Sequence, residues 1–157
     1  MDTGKGDAGT TTNIYQYYTR LSSYGFVPYK EQYLTFKVKS CSNTFILLSS
    51  VSDLISADFY EIGLGVNNNN WYFILRKKFG NEIMLIHEPN ILNCNEYRPL
   101  WLSWSSGQIC VGRGAMVGVD TFLNWTDPVD PIDVTAIGVL SSWSTSGKWI
   151  FESNSRY

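Results

Sequence analysis

The chain has 157 residues, enough for one domain with a core of its own. A net charge of −2 and a pI of about 5.3 exclude a basic nucleic-acid-binding domain; the densest basic runs, Arg76-Lys77-Lys78 and Lys37-Val38-Lys39, read as solvated faces. Aromatics make up 15% of the residues against 17% for charged ones, which points to a β-rich domain, a surface that binds, or both.

No stretch holds the ~18 consecutive apolar residues of a transmembrane helix, so no membrane span is expected. No apolar run of a signal peptide follows Met1. Residues 1–12 (MDTGKGDAGTTT) are small and polar and read as a disordered lead-in, with residues 13–157 forming a single domain. Ile14–Phe26 is rich in tyrosine without a clear period. Tyr33–Lys39 alternates, Phe36 and Val38 against Lys37 and Lys39, as a half-buried strand does. Thr44–Ser49 is a short apolar run that suits a strand covered on both sides.

Phe59–Val66 alternates again, and four asparagines follow, Asn67–Asn70. Asparagine tolerates positive φ and bonds its own backbone, so these residues form a turn, with Trp71–Lys77 as the returning strand. Glu82–His87 is another apolar run. Tyr97–Trp104 and Gln108–Gly112 then make a central hairpin around Ser105-Ser106-Gly107, a three-residue connection ending in glycine. This pairs Trp104 with Gln108, Leu102 with Cys110 and Trp101 with Val111, and leaves large apolar groups on both faces. Pro99 lacks a ladder donor and belongs at a strand end or edge. Asp120–Asp133 (DTFLNWTDPVDPID) reads as a Pro- and Asp-rich crossing, and Val134–Ser141 and Lys148–Phe151 are the last strands.

No segment shows helical periodicity over a useful length. About ten short strands at roughly 8–15-residue spacing indicate an all-β fold, an antiparallel β-sandwich or jelly roll.

Several patterns carry possible chemistry. Glu61-Ile62-Gly63-Leu64-Gly65 imitates the cofactor loop of nucleotide-fold methyltransferases, but that loop must run into a helix backed by a parallel sheet. Here asparagines and an aromatic strand follow, so Gly63 and Gly65 read as strand glycines that admit a neighbour. His87, the single histidine, ends an apolar strand and reads as structural. Asp120, Asp127, Asp130 and Asp133 sit in one loop; they read as turn residues, with Ca²⁺ binding as the alternative, and no other cofactor is expected. Among six tryptophans, Trp71 and Trp143 lie at loops beside Asn or Ser. An aromatic face beside amide, hydroxyl and guanidinium groups is what a sugar ring needs, and Arg76 or Arg113 would supply planar donors.

The expected disulfide is Cys41–Cys94, since both lie at strand margins while Cys110 lies inside the central hairpin facing Leu102. Asn124-Trp125-Thr126 is an acceptor for N-glycosylation at Asn124.

The blocks YEIGLG, EYRPLWLSW, GQICVGRG, FLNWTDP and VTAIGVLSSWSTSGKW resemble the farnesoic acid O-methyltransferase-type domain, from about residue 13 to residue 152. The resemblance implies either methylation of farnesoic acid, for which the family was named, or recognition, since similar modules occur in invertebrate secreted and lectin-like proteins. The chain departs from the family after YEIGLG, where Val66 and the asparagines stand in place of Gly-Trp-x-Asn.

The expected function is therefore a non-catalytic recognition module for a glycan or protein ligand within a larger extracellular protein. Its expected site residues are Asn67, Asn69, Asn70, Trp71, Arg76, Arg113 and Trp143. The alternatives are an S-adenosylmethionine-dependent O-methyltransferase and a self-associating adhesive domain.

Overall fold

A computed structural model describes residues 2–4, 18–26, 31–55, 58–76, 81–128, 130–141 and 146–152, with backbone alone at 2–4, 75–76 and 81–83. Its strands form two six-stranded sheets, antiparallel throughout. The first runs in the order β1 (Asp2–Gly4), β12 (Gly147–Phe151), β3 (Tyr33–Lys39), β8 (Arg98–Ser105), β9 (Gln108–Arg113) and β10 (Thr121–Thr126). The second runs β2 (Thr19–Arg20), β11 (Ala136–Ser141), β4 (Thr44–Ser49), β5 (Phe59–Gly65), β6 (Trp71–Arg76) and β7 (Asn81–His87). The fold is the antiparallel β-sandwich that the alternating strands predict. Among the described residues no helix is long and apolar enough to cross a membrane.

Period-two alternation decides what lies between the sheets. Leu34, Phe36 and Val38 of β3, with Leu100, Leu102 and Trp104 of β8, face Ile46 and Leu48 of β4 and Tyr60, Ile62 and Leu64 of β5 in one buried cluster. A second apolar layer lies on the other side of the second sheet, where Phe45, Leu47, Phe59, Ala136 and Leu140 are covered by Tyr18 and Leu54. That layer is why β4 is buried along its whole length and reads as an unbroken apolar run. Glu61 sits on the same covered face, where it accepts a hydrogen bond from the Tyr18 hydroxyl. Burial pushes the Tyr18 phenol well above its ordinary range, and the Glu61 charge and hydrogen bond push it the same way.

Two tyrosines cross the sandwich. The Tyr60 hydroxyl donates to Asp127 Oδ2 at 2.7 Å, and the Tyr72 hydroxyl donates to the Phe122 carbonyl at 2.7 Å. Both acceptors lie at the ends of β10, so this edge strand of one sheet is fastened twice to the other. The crossing Asp120–Asp133 therefore contains a strand that its Pro and Asp content conceals: Thr121–Thr126 pairs with β9, and the Asp-Pro steps begin only after it.

The central hairpin differs from its predicted register by one residue. Ser106 and Gly107 both have positive φ, 51° and 79°, and make a two-residue turn whose twist matches the strands. Ser105 therefore pairs with Gln108, Leu102 with Val111 and Trp101 with Gly112. A slip of one residue reverses faces. Cys110 consequently lies half-buried on the outer face beside Ser103 and Asn124, not buried against Leu102. Trp101 also points outward, yet it is buried, because its indole lies over Gly112 and donates to the Val119 carbonyl at 2.8 Å. Pro99 stands at the start of β8, as its missing donor requires.

One expectation about the beginning of the chain changes. Asp2–Gly4, read as part of a disordered lead-in, pairs with β12, and the remainder of residues 1–12 lies outside the described residues. Within the aperiodic tyrosine-rich run, Thr19–Arg20 forms β2 and Leu21–Tyr24 a short 3₁₀ turn.

The Trp101–Gly112 contact is tight, since a methyl group at Gly112 would meet the indole at 2.4 Å. Gly112→Ala should therefore lower stability by about 1–3 kcal/mol in urea unfolding, the usual cost of overpacking. The Cys110 thiol has its pKa raised by burial, and its hydrogen bond with Ser103 offsets this only in part. A raised pKa means less thiolate, so the native protein at pH about 8 should react with iodoacetamide more slowly than the urea-unfolded protein, in which a single unreduced thiol titrates.

Candidate functional site

Gly65 and the asparagines after it build one rim of the sandwich. Gly65 (φ 66°), Asn67 (φ 50°), Asn68 (φ 58°) and Asn69 (φ 62°) are left-handed, and Asn70 (φ −113°) returns the chain to β6. Left-handed backbone costs most L-residues roughly 1–2 kcal/mol each; asparagine tolerates it best after glycine, so the run of asparagines makes such a turn possible.

The turn is clamped to the segment that follows β7. The Asn69 side chain donates to the Leu92 carbonyl (2.7 Å) and accepts from the Leu92 N–H (2.9 Å), as a neighbouring strand would. The Asn69 carbonyl accepts from the Asn90 N–H, and the Asn70 carbonyl from the Glu88 N–H. Cys94 in the same segment is disulfide-bonded to Cys41, and the Ser40 N–H donates to the Asn93 carbonyl. From the first sheet, Arg113 donates to Glu88 Oε1 (2.9 Å), the Asn90 carbonyl (3.0 Å) and the Pro89 carbonyl (3.1 Å), with its guanidinium over the Phe122 ring. Glu88–Cys94 is thus a strap sewn to both sheets.

The expected site residues divide accordingly. Asn69, Asn70 and Arg113 come together on the strap, but Asn69 and Arg113 direct their polar atoms into it and serve as frame. Asn67 and Asn68 are exposed. Trp71 is half-buried and meets the exposed His87 edge-on, with ring centroids 5.1 Å apart across directly paired strands. His87, expected to be a structural residue, is thus part of the accessible rim; its pairing with Trp71 was hidden because strand register is not written in either segment alone. Arg76 stands at the far end of β6, about 17 Å away at the usual rise per residue, and does not share this rim. Trp143 lies outside the described residues.

The glycine motif does not fit a methyl-donor cofactor. A Cβ at Gly63 would fall 2.2 Å from the Phe73 ring, and one at Gly65 would fall 2.5 Å from Leu92. Neighbouring side chains therefore occupy the space that glycine leaves, and no helix starts behind it of the kind a nucleotide cofactor uses. The four aspartates do not converge either: Asp120 precedes β10 and Asp127 follows it. Among the described residues no group of three or more metal-ligating side chains gathers.

A two-layer antiparallel sandwich whose loops are braced at one rim is the class of fold these strands define. The family described as farnesoic acid O-methyl transferase matches residues 12–155, and the chain belongs to that family. Among solved structures it is similar to the carbohydrate binding module CBM66 from Bacillus subtilis (11% identity, TM-score 0.52, 74% of this chain and 70% of that one). It is also similar to the galectin LEC-6 of Caenorhabditis elegans (12% identity, TM-score 0.50, 80% and 86%). A third is a prokaryotic β-1,3-1,4-glucanase derived from a mouse hindgut metagenome (9% identity, TM-score 0.51), of which the match covers 64% against 76% of this chain. Among curated proteins none matches the sequence.

The clamp is testable. Asn69→Ala removes two hydrogen bonds and puts alanine, which tolerates left-handed backbone less well than asparagine, at φ 62°, so stability should fall by about 2–3 kcal/mol. Asn69→Gly keeps the backbone and should lose less, while the Leu92 and Asn90 amides exchange faster in both variants.

Proposed function

We propose that this domain is a non-catalytic recognition module that binds carbohydrate. The observation that carries the reading is the accessible pair Trp71–His87 beside Asn67 and Asn68, on a rim held by the Asn69 clamp and the Cys41–Cys94 disulfide. A stacking surface with amides beside it on a pre-organised support is the usual requirement for holding a sugar ring. Asn70 contributes from the frame. The sandwich fold supports the reading, as do the occluded glycines of the motif that a methyl donor would use.

The protein acts outside the cell or in a secretory lumen, as a module of a longer chain. A disulfide at the binding rim suits an oxidising compartment. Asn124 is exposed on β10 and is the residue that carries N-linked glycan there. Ca²⁺ is not needed for binding.

A second reading, self-association, is favoured by one observation. Leu85 and Ile86 are 50% and 40% exposed on β7, an edge strand of the second sheet. Exposed apolar edges pair with other chains unless blunted. Light scattering after size exclusion separates the two, because a strict monomer removes the adhesive reading and leaves the lectin reading intact.

Glycan-array screening followed by calorimetry tests the main proposal. Trp71→Ala should weaken binding of the selected glycan about tenfold or more, and the exposed His87→Ala should weaken it several-fold with unchanged circular dichroism. Unchanged affinity in both variants would remove this rim. Methyl transfer from labelled S-adenosylmethionine to farnesoic acid would overturn the proposal altogether.

A further inference from the structure

At the opposite end of the sandwich a cleft of about 260 Å³ opens between the Ser106-Gly107 turn and the segment that leads into β11. Its floor is apolar and buried, formed by Tyr60, Trp104 and Ile109. Its rim carries the exposed polar residues Gln32, Ser106, Asp133 and Thr135. Among the described residues these four side chains make no hydrogen bond of their own.

The walls are fixed before any ligand arrives. The Trp104 N–H donates to the Gln32 carbonyl (2.9 Å), the Asp127 N–H to the Gly107 carbonyl (2.9 Å) and the Thr135 N–H to the Ser49 carbonyl (2.8 Å). The Ile132 N–H donates to the Tyr60 hydroxyl (3.2 Å), which itself donates to the buried Asp127. Gly107 presses against Pro131, where a β-carbon would fall 2.6 Å from the ring. A cleft held this way loses little entropy on binding.

We infer that this cleft is a second binding site, which takes the terminal ring of a neutral saccharide through its vicinal hydroxyls. Size sets the first limit. The volume falls just below the roughly 300–1,000 Å³ that encloses drug-sized ligands, so one ring enters and the remainder of a chain stays outside. Charge sets the second. Asp133 is an acceptor-only carboxylate whose two oxygens suit adjacent hydroxyl donors, and among the described lining residues no Lys or Arg is present to hold an anionic sugar. Gln32 and Ser106 add an amide and a hydroxyl, while Val134 and Ile132 offer apolar surface to the C–H face of the ring. The site lies about seven residues along β8 from the rim carrying Trp71, roughly 23 Å, so the two are separate and neither inference requires the other.

Amide chemical shifts of the ¹⁵N-labelled protein test it, with millimolar methyl β-galactoside, methyl α-mannoside, fructose and glucuronate as probes. At least one neutral sugar should shift the amides of Gln32, Ser106, Gly107 and Asp133–Thr135, and glucuronate should bind at least tenfold more weakly. Asp133→Ala, at an exposed position, should raise the dissociation constant about tenfold, whereas Trp71→Ala should leave it unchanged. Shifts confined to Asn67–Trp71 and His87 would overturn the second site and leave the loop-end reading standing. Equal affinity for glucuronate, an unaltered constant in Asp133→Ala, or no shift with any sugar would each overturn it. So would shifts at the same amides produced by N-acetyl-lysine methylamide and not by the sugars, which would make the cleft a peptide site.

Discussion

The Asn69–Leu92 clamp is the interaction on which the order of the Asn67–Asn70 rim depends. One amide side chain supplies a donor and an acceptor to one backbone residue, and so adds a strand-like link where no strand runs. Through that link the β5–β6 turn of the second sheet holds the Glu88–Cys94 strap, and the strap in turn reaches the first sheet through Cys41 and Arg113. Loops that join two sheets carry little hydrophobic burial, so their rigidity has to come from polar and covalent links. The three left-handed asparagines follow from the same constraint. They turn the chain tightly enough to bring residue 69 opposite Leu92, and the clamp offsets the backbone cost of doing so.

Much of the fold was legible because the inward faces of the strands keep a strict period of two. Phe36 and Val38 of β3, and Tyr60, Ile62 and Leu64 of β5, face the core as that period requires. The failures were failures of register and of composition. Ser105-Ser106-Gly107 offers glycine for either a two- or a three-residue turn, and only the positive φ of Ser106 decides between them. That single residue moved Cys110 from the core face to the outer face. β10 was hidden because two Asp-Pro steps follow it closely, and punctuation of that kind outweighs a short Thr-Phe-Leu-Asn-Trp-Thr run in a pattern-based reading. Within the candidate site, the asparagine turn and Trp71 were visible as residue types. Their partners Leu92 and His87 were not, because pairing over long sequence separations sets them beside the turn.

The family name and the physics of the fold pull in different directions. A methyl donor bound in the nucleotide-fold manner needs bare backbone at a glycine pair and a helix N-terminus facing it. In this chain glycine serves packing. Gly63 admits the Phe73 ring, Gly65 admits Leu92 and Gly112 admits the Trp101 indole. Each removes a β-carbon so that a large neighbour can lie flat on a strand, which is how a sheet with aromatic residues on its outer faces stays closed.

The two ends of the sandwich are closed by different means. At the Asn67–Asn70 end, disulfide, amide and guanidinium links join the Glu88–Cys94 strap to the β5–β6 turn and to the first sheet. At the other end the two-residue β8–β9 turn and the chain leading into β11 line a cleft floored by Tyr60, Trp104 and Ile109. The aspartate that might have coordinated a metal there, Asp127, instead accepts the Tyr60 hydroxyl, and Asp133 is left on the rim. A gap walled by backbone hydrogen bonds and floored by core side chains is a property of the closed fold itself, because widening it would require the first and second sheets to separate where Tyr60 ties them together.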